Sequence, residues 1–432
     1  MSETTTASPG IRTLLLMSVP AILIGVGSAV VLRLLDLVSD ELMHFIWDYV
    51  PGLFGASEET PWWIFLVLTL TGAAVGAIVW LVPGHGGPDS ATTELGGTPP
   101  KLGAVPTILL VSILGLAGGV SLGPENPTIA VNSALAVAVF GRLSIKIPPA
   151  LLAMLAISGT IGALFGTPVA AALVFTGMVG ATALPGSLWD KLFLPLAAAG
   201  AGSVTMLLLG GESISFTLEP MGAIQPVYLL QGFLVAAVSA VLGVIAAFVF
   251  PYIHRVFHAL RNPIIFTTIG GMILGVLGII GGPITLFKGL QQTGELLENP
   301  GAYDAGQLAL FTGVKLVALL IAASAGFRGG RIFPAVFIGT AFGLLAYALF
   351  PGIPISLAVA CGVMGITLAA TKDGWIGIFV GIALCGDITV LPLLCLIILP
   401  VWLIVTKAPE LTVHPAEPEA TAPAKPVKPA KA

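Results

Sequence analysis

The sequence predicts an all-α polytopic membrane protein built from two related halves, with many broken and re-entrant helices. Three observations predict it. Hydrophobic residues make up 56% of the chain and charged residues 9%, with a mean hydropathy of +1.05, whereas soluble domains carry roughly 25% charged residues. About fourteen apolar segments follow one another, many shorter than the ~20 residues a helix needs to cross a bilayer. Glycine (54) and proline (33) fall inside them, as in Gly162-Ala163-Leu164-Phe165-Gly166-Thr167-Pro168 and Gly281-Gly282-Pro283. Finally, the halves echo each other. Gly123-x-x-x-Pro127 returns as Gly330-Arg331-Ile332-Phe333-Pro334, an offset of 207 residues from Gly123 to Gly330. Gly162-Ala163-Leu164-Phe165-Gly166-Thr167 returns loosely as Gly365-Ile366-Thr367-Leu368-Ala369-Ala370-Thr371, an offset of 203 from Gly162 to Gly365. Interrupted segments at corresponding places of two repeats mark a transporter whose site lies between them.

Taken in order, residues 1–10 are expected to be disordered, and residues 11–407 form the membrane body, with repeats over approximately 11–215 and 220–407. The first apolar run, Leu14 to Leu35, continues into the rest of the pattern and is no cleavable leader. Asp36, Asp40 and Glu41 follow it and are placed at an interface. Trp62, Trp63, Trp80, Trp189 and Trp402 suit interfacial belts. Broken backbone at bilayer depth is tolerated only where it is buried in protein or lines an aqueous cavity, so the core is expected to hold a polar pathway. Most of the glycines serve close helix packing. Lys288 and Lys315 flank a polar stretch containing Gln291, Gln292, Glu295 and Glu298, which reads as solvated; Lys372-Asp373 reads as an ion pair at a break, and Asp387 lies in another. Residues 408–432 are an Ala/Pro/Lys tail, expected to be disordered, whose lysines favour a cytoplasmic C-terminus.

Composition also excludes functions. A net charge of −4 without a basic cluster in the body argues against nucleic acid. Cys361, Cys385 and Cys395 sit in apolar segments without CxxC or metal spacing and read as small core residues. There is no HExxH, no GxSxG and no pair of aspartates on apolar helices, so no enzyme is expected; neither is a cofactor or a metal centre.

The most informative residue is Glu125, a single carboxylate in Gly123-Pro124-Glu125-Asn126-Pro127 between membrane-grade apolar stretches. An ionisable group at that depth is expensive and points to an ion pathway. Proline suits a first helical turn, so a helix is expected to start near Pro127 with Glu125 just before it. The unpaired N–H groups and positive dipole end there attract an anion. Glu125 is then either a plug that a mobile anion displaces or a plain helix cap.

Three glycine-rich breaks fall in order: Gly84-His85-Gly86-Gly87-Pro88, Gly123-Pro124-Glu125-Asn126-Pro127 and Gly330-Arg331-Ile332-Phe333-Pro334. This ordered set resembles the CLC family of chloride channels and proton/chloride antiporters, with signatures GSGIP, GREGP and GxFxP, over about Arg12 to Lys407, and is closest to its bacterial YfeO-type ion-transport branch. Ser158-Gly159-Thr160 through Pro168-Val169-Ala170-Ala171 is similar to the small-residue segment after the family's gating helix. The resemblance implies a CLC-like inverted repeat that moves a small inorganic anion, chloride above all and with protons as a possible second ion, across a bacterial inner (plasma) membrane, as a homodimer in the lipid bilayer. Glu125 matches the gating glutamate. The implied anion-binding positions are Gly84, His85 and Gly86 in the first break, Gly123 and Asn126 in the second, and Arg331, Ile332 and Phe333 in the third, chiefly through backbone amides. A secondary transporter of another halide or an organic anion, clamped by Arg331 and His85, is the alternative.

The departures bear on mechanism. His85 stands where the family has a serine, and either donates into the pathway, titrating near neutral pH, or faces an aqueous vestibule. Arg328, just before the third break, either concentrates anions or anchors at the headgroups. Met178 falls where antiporters carry an internal proton-relay glutamate, and Lys407-Ala408-Pro409-Glu410-Leu411 holds no counterpart of their gating tyrosine. Channel-like or weakly proton-coupled transport is therefore expected.

Overall fold

The computed structural model describes residues 10–93, 97–142, 147–169, 176, 187–211 and 214–413. Among these residues the regular structure is helical. The first half contains α1 (Ile11–His44), α2 (Pro61–Leu81), α3 (Val105–Ala117), α4 (Glu125–Phe140), α5 (Pro149–Phe165) and α6 (Leu188–Leu208). The second contains α7 (Pro226–His258), α8 (Pro263–Gly281), α9 (Leu290–Glu298), α10 (Ala305–Ser324), α11 (Ile332–Leu349), α12 (Ile355–Thr371), α13 (Gly374–Cys385) and α14 (Leu391–Val405). Eight helical spans are long and apolar enough to cross a membrane, while α3, α5, α12 and α13 are apolar but shorter. The broken helices expected from the glycine and proline pattern are present.

Local chemistry sets the boundaries. Pro61, Pro149, Pro226 and Pro263 open α2, α5, α7 and α8, where proline's fixed φ suits the first turn and its missing N–H costs nothing. Ser187 with Asp190, and Asp304 with Gln307, form reciprocal capping boxes on α6 and α10. Gly166 and Gly386 close α5 and α13 in the left-handed conformation, at φ 66° and 63°, which glycine reaches without a Cβ penalty. Helix α4 begins at Glu125 itself, with Pro124 at its N-cap, two residues before the predicted start. Pro127 thus sits third in the helix, where the N–H it lacks would have had no intrahelical partner.

The repeat survives folding. α4 and α11 start at residues 125 and 332, and α5 and α12 at 149 and 355, so the sequence offset holds across both pairs. In the first half α1 packs on α5 and α6; in the second α7 packs on α12 and α14. The halves interlock through α2 and α8. A Cβ on Gly72 would lie 2.4 Å from Thr267 O, and one on Gly271 2.2 Å from Leu68 O, so the two backbones touch where side chains would hold them apart. The largest buried cluster gathers residues of α5, α11, α12 and α14; a second gathers α2, α8 and α10.

Several charged residues differ from expectation. Lys315 is fully buried in α10 rather than solvated, and Lys288 pairs at 3.4 Å with Asp36, itself buried in α1. Lys372 donates from Nζ to the carbonyls of Val405 and Ala408, while Asp373 accepts from the N–H groups of Trp375 and Ile376 and caps α13; the two serve different elements instead of each other. Trp63 is buried, whereas Trp62, Trp80, Trp189 and Trp402 are exposed as belt residues would be. Packing also continues past Lys407. Leu411 is buried and the Val413 N–H donates to Ala91 O at 2.7 Å. Met178, residues 1–9 and residues 414–432 lie outside the described residues.

Candidate functional site

Two loops, one from each half, meet at the centre of the fold. Gly123 N–H donates to Gly330 O at 2.9 Å and Gly330 N–H donates to Gly123 O at 2.7 Å, an isolated antiparallel bridge. It sets the first turn of α4 beside the first turn of α11.

Glu125 reaches across this bridge. Its Oε1 accepts from the backbone N–H of Phe333 at 2.9 Å, the side chain is 1% exposed, and Oε2 is buried without a hydrogen-bond partner. The amide of Ile332 lies against the same carboxylate. A Cβ on Gly123 would stand 2.2 Å from Oε2, and one on Gly330 2.0 Å from it, so the carboxylate occupies the room two missing side chains leave. Asn126 Nδ2 donates to Gly329 O at 3.4 Å, a further tie between the motifs. A carboxylate from one repeat thus sits on the N-terminus of a helix from the other, the position that unpaired amides and the helix dipole make favourable for any anion.

The first break contributes differently. Gly84, His85, Gly86 and Gly87 all have positive φ, at 99°, 49°, 67° and 75°, a left-handed run that only glycine follows without strain. His85 is exposed, and its Nδ1 lies 2.9 Å from Val79 O, so the ring bonds back to the last turn of α2. Gly86 lines a small cavity with Pro88, Ser90, Asn126 and Gly329. Arg331 supplies the N-cap backbone of α11, but its guanidinium is bonded to the carbonyls of Ser90 (3.3 Å), Thr93 (2.8 Å) and Leu411. Arg328 is largely covered, its side chain 9% exposed, with Nη1 3.2 Å from Asp89 Oδ2. The structure therefore gathers Gly123, Glu125, Asn126, Ile332 and Phe333 in one place, with Gly86 on an adjoining cavity, and directs the side chains of His85 and Arg331 elsewhere.

Two features escaped the sequence reading. Ser90 accepts from Gly329 N–H at 2.7 Å and donates to Phe327 O at 2.7 Å, riveting the first break to the third; a lone serine gives no sequence signal for this. Lys315 donates from Nζ to the carbonyls of Thr285, Leu286 and Phe287 at 2.9, 2.7 and 2.7 Å and lies 5.2 Å from the Phe337 ring centroid. Its position within the apolar stretch 305–324 was the available signal, since a lysine at that depth needs partners.

A family model described as voltage gated chloride channel matches residues 71–403. The chain belongs to this CLC family. It is 43% identical over 407 residues to YfeO, named for ion transport, from Escherichia coli strain 55989, covering 94% of this chain and 97% of that one. The same protein of the K12 strain DH10B gives the same values. Among solved structures, a CLC-type fluoride/proton antiporter superposes with a TM-score of 0.73 at 20% identity, over 93% of this chain and 98% of the other. A slow cyanobacterial Cl-/H+ antiporter gives 0.75 at 18% identity, over 91% and 96%. The CLC fold is thus present along nearly the whole chain, in a multi-pass membrane protein and not an enzyme.

Proposed function

We propose that this CLC protein moves a small inorganic anion, chloride first, across a bacterial inner membrane, along a path between its repeats that Glu125 gates. One observation carries the reading: the buried Glu125 carboxylate accepts from the Phe333 N–H at the start of α11, so it occupies a site built for an anion. Protonation or displacement of that carboxylate frees the amides of Ile332 and Phe333, and partial charges hold the incoming ion weakly enough for it to leave. The Gly84–Gly86 loop, with its cavity beside Asn126, supplies backbone to the same path. The organic-anion alternative relied on Arg331 and His85 as a clamp, and their bonds to Ser90, Thr93, Leu411 and Val79 leave it less support. A homodimer with one path per subunit accords with family membership.

The test is Glu125→Gln in proteoliposomes. Glutamine mimics the protonated acid, so chloride flux should persist and lose most of its pH dependence. Flux abolished in a well-folded protein that still binds chloride makes Glu125 a structural cap. An anion panel including fluoride and a small organic acid decides the substrate class.

A further inference from the structure

Helix α7 ends in His254-Arg255-Val256-Phe257-His258. Four residues apart, the two imidazoles lie on one helix face, and their rings stack with centroids 3.8 Å apart. Asp89, from the loop after the Gly84–Pro88 break, reaches this face: its Oδ2 is 3.8 Å from His258 Nε2. One ring nitrogen of each histidine and one Asp89 oxygen all lie within 4.8 Å of one another.

Hydrogen bonding dictates what these atoms can do. His258 Nδ1 is 3.1 Å from His254 O; a carbonyl only accepts, so Nδ1 carries the proton. In the neutral ring Nε2 then turns a lone pair toward the Asp89 carboxylate, at a separation too long for a hydrogen bond. His254 Nε2 is a buried ring nitrogen with no hydrogen-bond partner. Two ring nitrogens and a carboxylate within 4.8 Å of one another suit a cation among them once the stacked rings, inclined by only 23°, rotate to aim both lone pairs at one point. Two ligand atoms on one tetrahedral zinc stand roughly 3.3–3.5 Å apart, given Zn–N and Zn–O bonds near 2.0–2.1 Å; the His258–Asp89 pair at 3.8 Å is close to that range, and the whole set, within 4.8 Å, reaches it by side-chain rotation that unstacks the two rings. A backbone carbonyl holding Nδ1–H is also the usual way a metal-ligating histidine is oriented.

We propose that Asp89, His254 and His258 form a binding site for one divalent transition-metal ion of the zinc class, with water in the fourth position. The site is coupled to the pathway, a consequence that rests on the transport reading above. Ser90, next to Asp89, holds Phe327 and Gly329, and Arg331 holds the carbonyls of Ser90 and Thr93. A metal that ties Asp89 to the end of α7 therefore fixes the segment bearing Gly330. It also competes with Arg328 for Asp89 Oδ2 and leaves that guanidinium beside Asn126 and Gly329, which share its cavity. The first effect restrains the loop and the second leaves a positive charge that holds an anion longer, so metal should slow flux.

The experiment uses tag-free, chelator-stripped full-length protein. Zinc chloride should bind at one ion per chain by calorimetry, and cobalt chloride should give the visible bands of a low-coordinate Co2+ site. His254→Ala/His258→Ala should weaken binding by about 100-fold or more, the scale on which even supporting groups of metal sites act, while His44→Ala should not. Should the double variant fold poorly, His254→Gln serves the same comparison. Wild type that binds no more tightly than the double variant overturns the site. Binding accompanied by zinc-insensitive flux supports the site and overturns its coupling to transport.

Discussion

Gly123 and Gly330 exchange backbone hydrogen bonds in both directions, 207 residues apart in sequence, and leave between them the space that the Glu125 carboxylate fills. Neither has a positive φ, so alanine suits both backbones and only space forbids it. Gly330→Ala would put a Cβ 2.0 Å from Glu125 Oε2 and should expel the carboxylate with the bridge intact. Its flux should resemble that of Glu125→Gln, with weak pH dependence, and combining the two substitutions should add little. Full additivity in proteoliposome flux would separate the glycine from the gate.

His85 is predicted to influence loop geometry more than selectivity. A ring donating directly to a bound anion would be worth about 1.5–3 kcal/mol, which is roughly ten-fold or more in relative affinity. The ring instead meets Val79 O and is exposed. His85→Ser should therefore shift the order of anion preference by well under ten-fold between pH 5 and 8. A larger shift, measured as relative flux of chloride, bromide and nitrate, would put the side chain in the path.

Proton coupling should be weak. The sequence resemblance sets Met178 where a proton-relay acid is expected of antiporters, and methionine cannot hold a proton. In liposomes a chloride gradient should drive little uphill proton movement. A tight, fixed exchange ratio would require another relay and overturn this expectation.

Much of the fold was legible because membrane burial leaves coarse marks: apolar runs, helix-breaking pairs and a repeat offset. Glu125 stood out because an acid at bilayer depth is expensive, although the sequence left a plain helix cap open beside the plug. What could not be read were contacts between distant segments. The 127 to 125 shift in the start of α4 depended on Pro124 taking the cap. Arg328 and Arg331 looked available until Asp89, Ser90 and Thr93 folded onto them. The histidine pair of α7 was visible as an i, i+4 spacing, yet nothing local placed Asp89 beside it. Lys315 differs from the solvated reading because the polar stretch of Gln291 to Glu298 does not extend to its own apolar surroundings, and its partners lie some thirty residues back.

That lysine yields the last prediction. Three carbonyls, of Thr285, Leu286 and Phe287, converge on Lys315 Nζ just after the short helical turn Pro283–Thr285, and the side chain is 0% exposed. Phe287 has a φ of 58°, so the lysine also holds a backbone that would otherwise relax. Lys315→Met keeps length and volume but removes every donor. Thr285 O keeps the Ser121 hydroxyl at 3.5 Å, while each of the two other abandoned carbonyls costs about 1–3 kcal/mol, so a loss of roughly 2 kcal/mol or more is expected. Because Lys288 is the next residue and its pairing with Asp36 lies close by, the loosened loop should also alter the electrostatics around Glu125, on which Lys288 acts. The variant should show a clearly lower thermal midpoint in detergent and altered pH dependence of flux. An unchanged midpoint would mean that the carbonyls find water instead, and that the loop owes its shape to the Asp36–Lys288 pair.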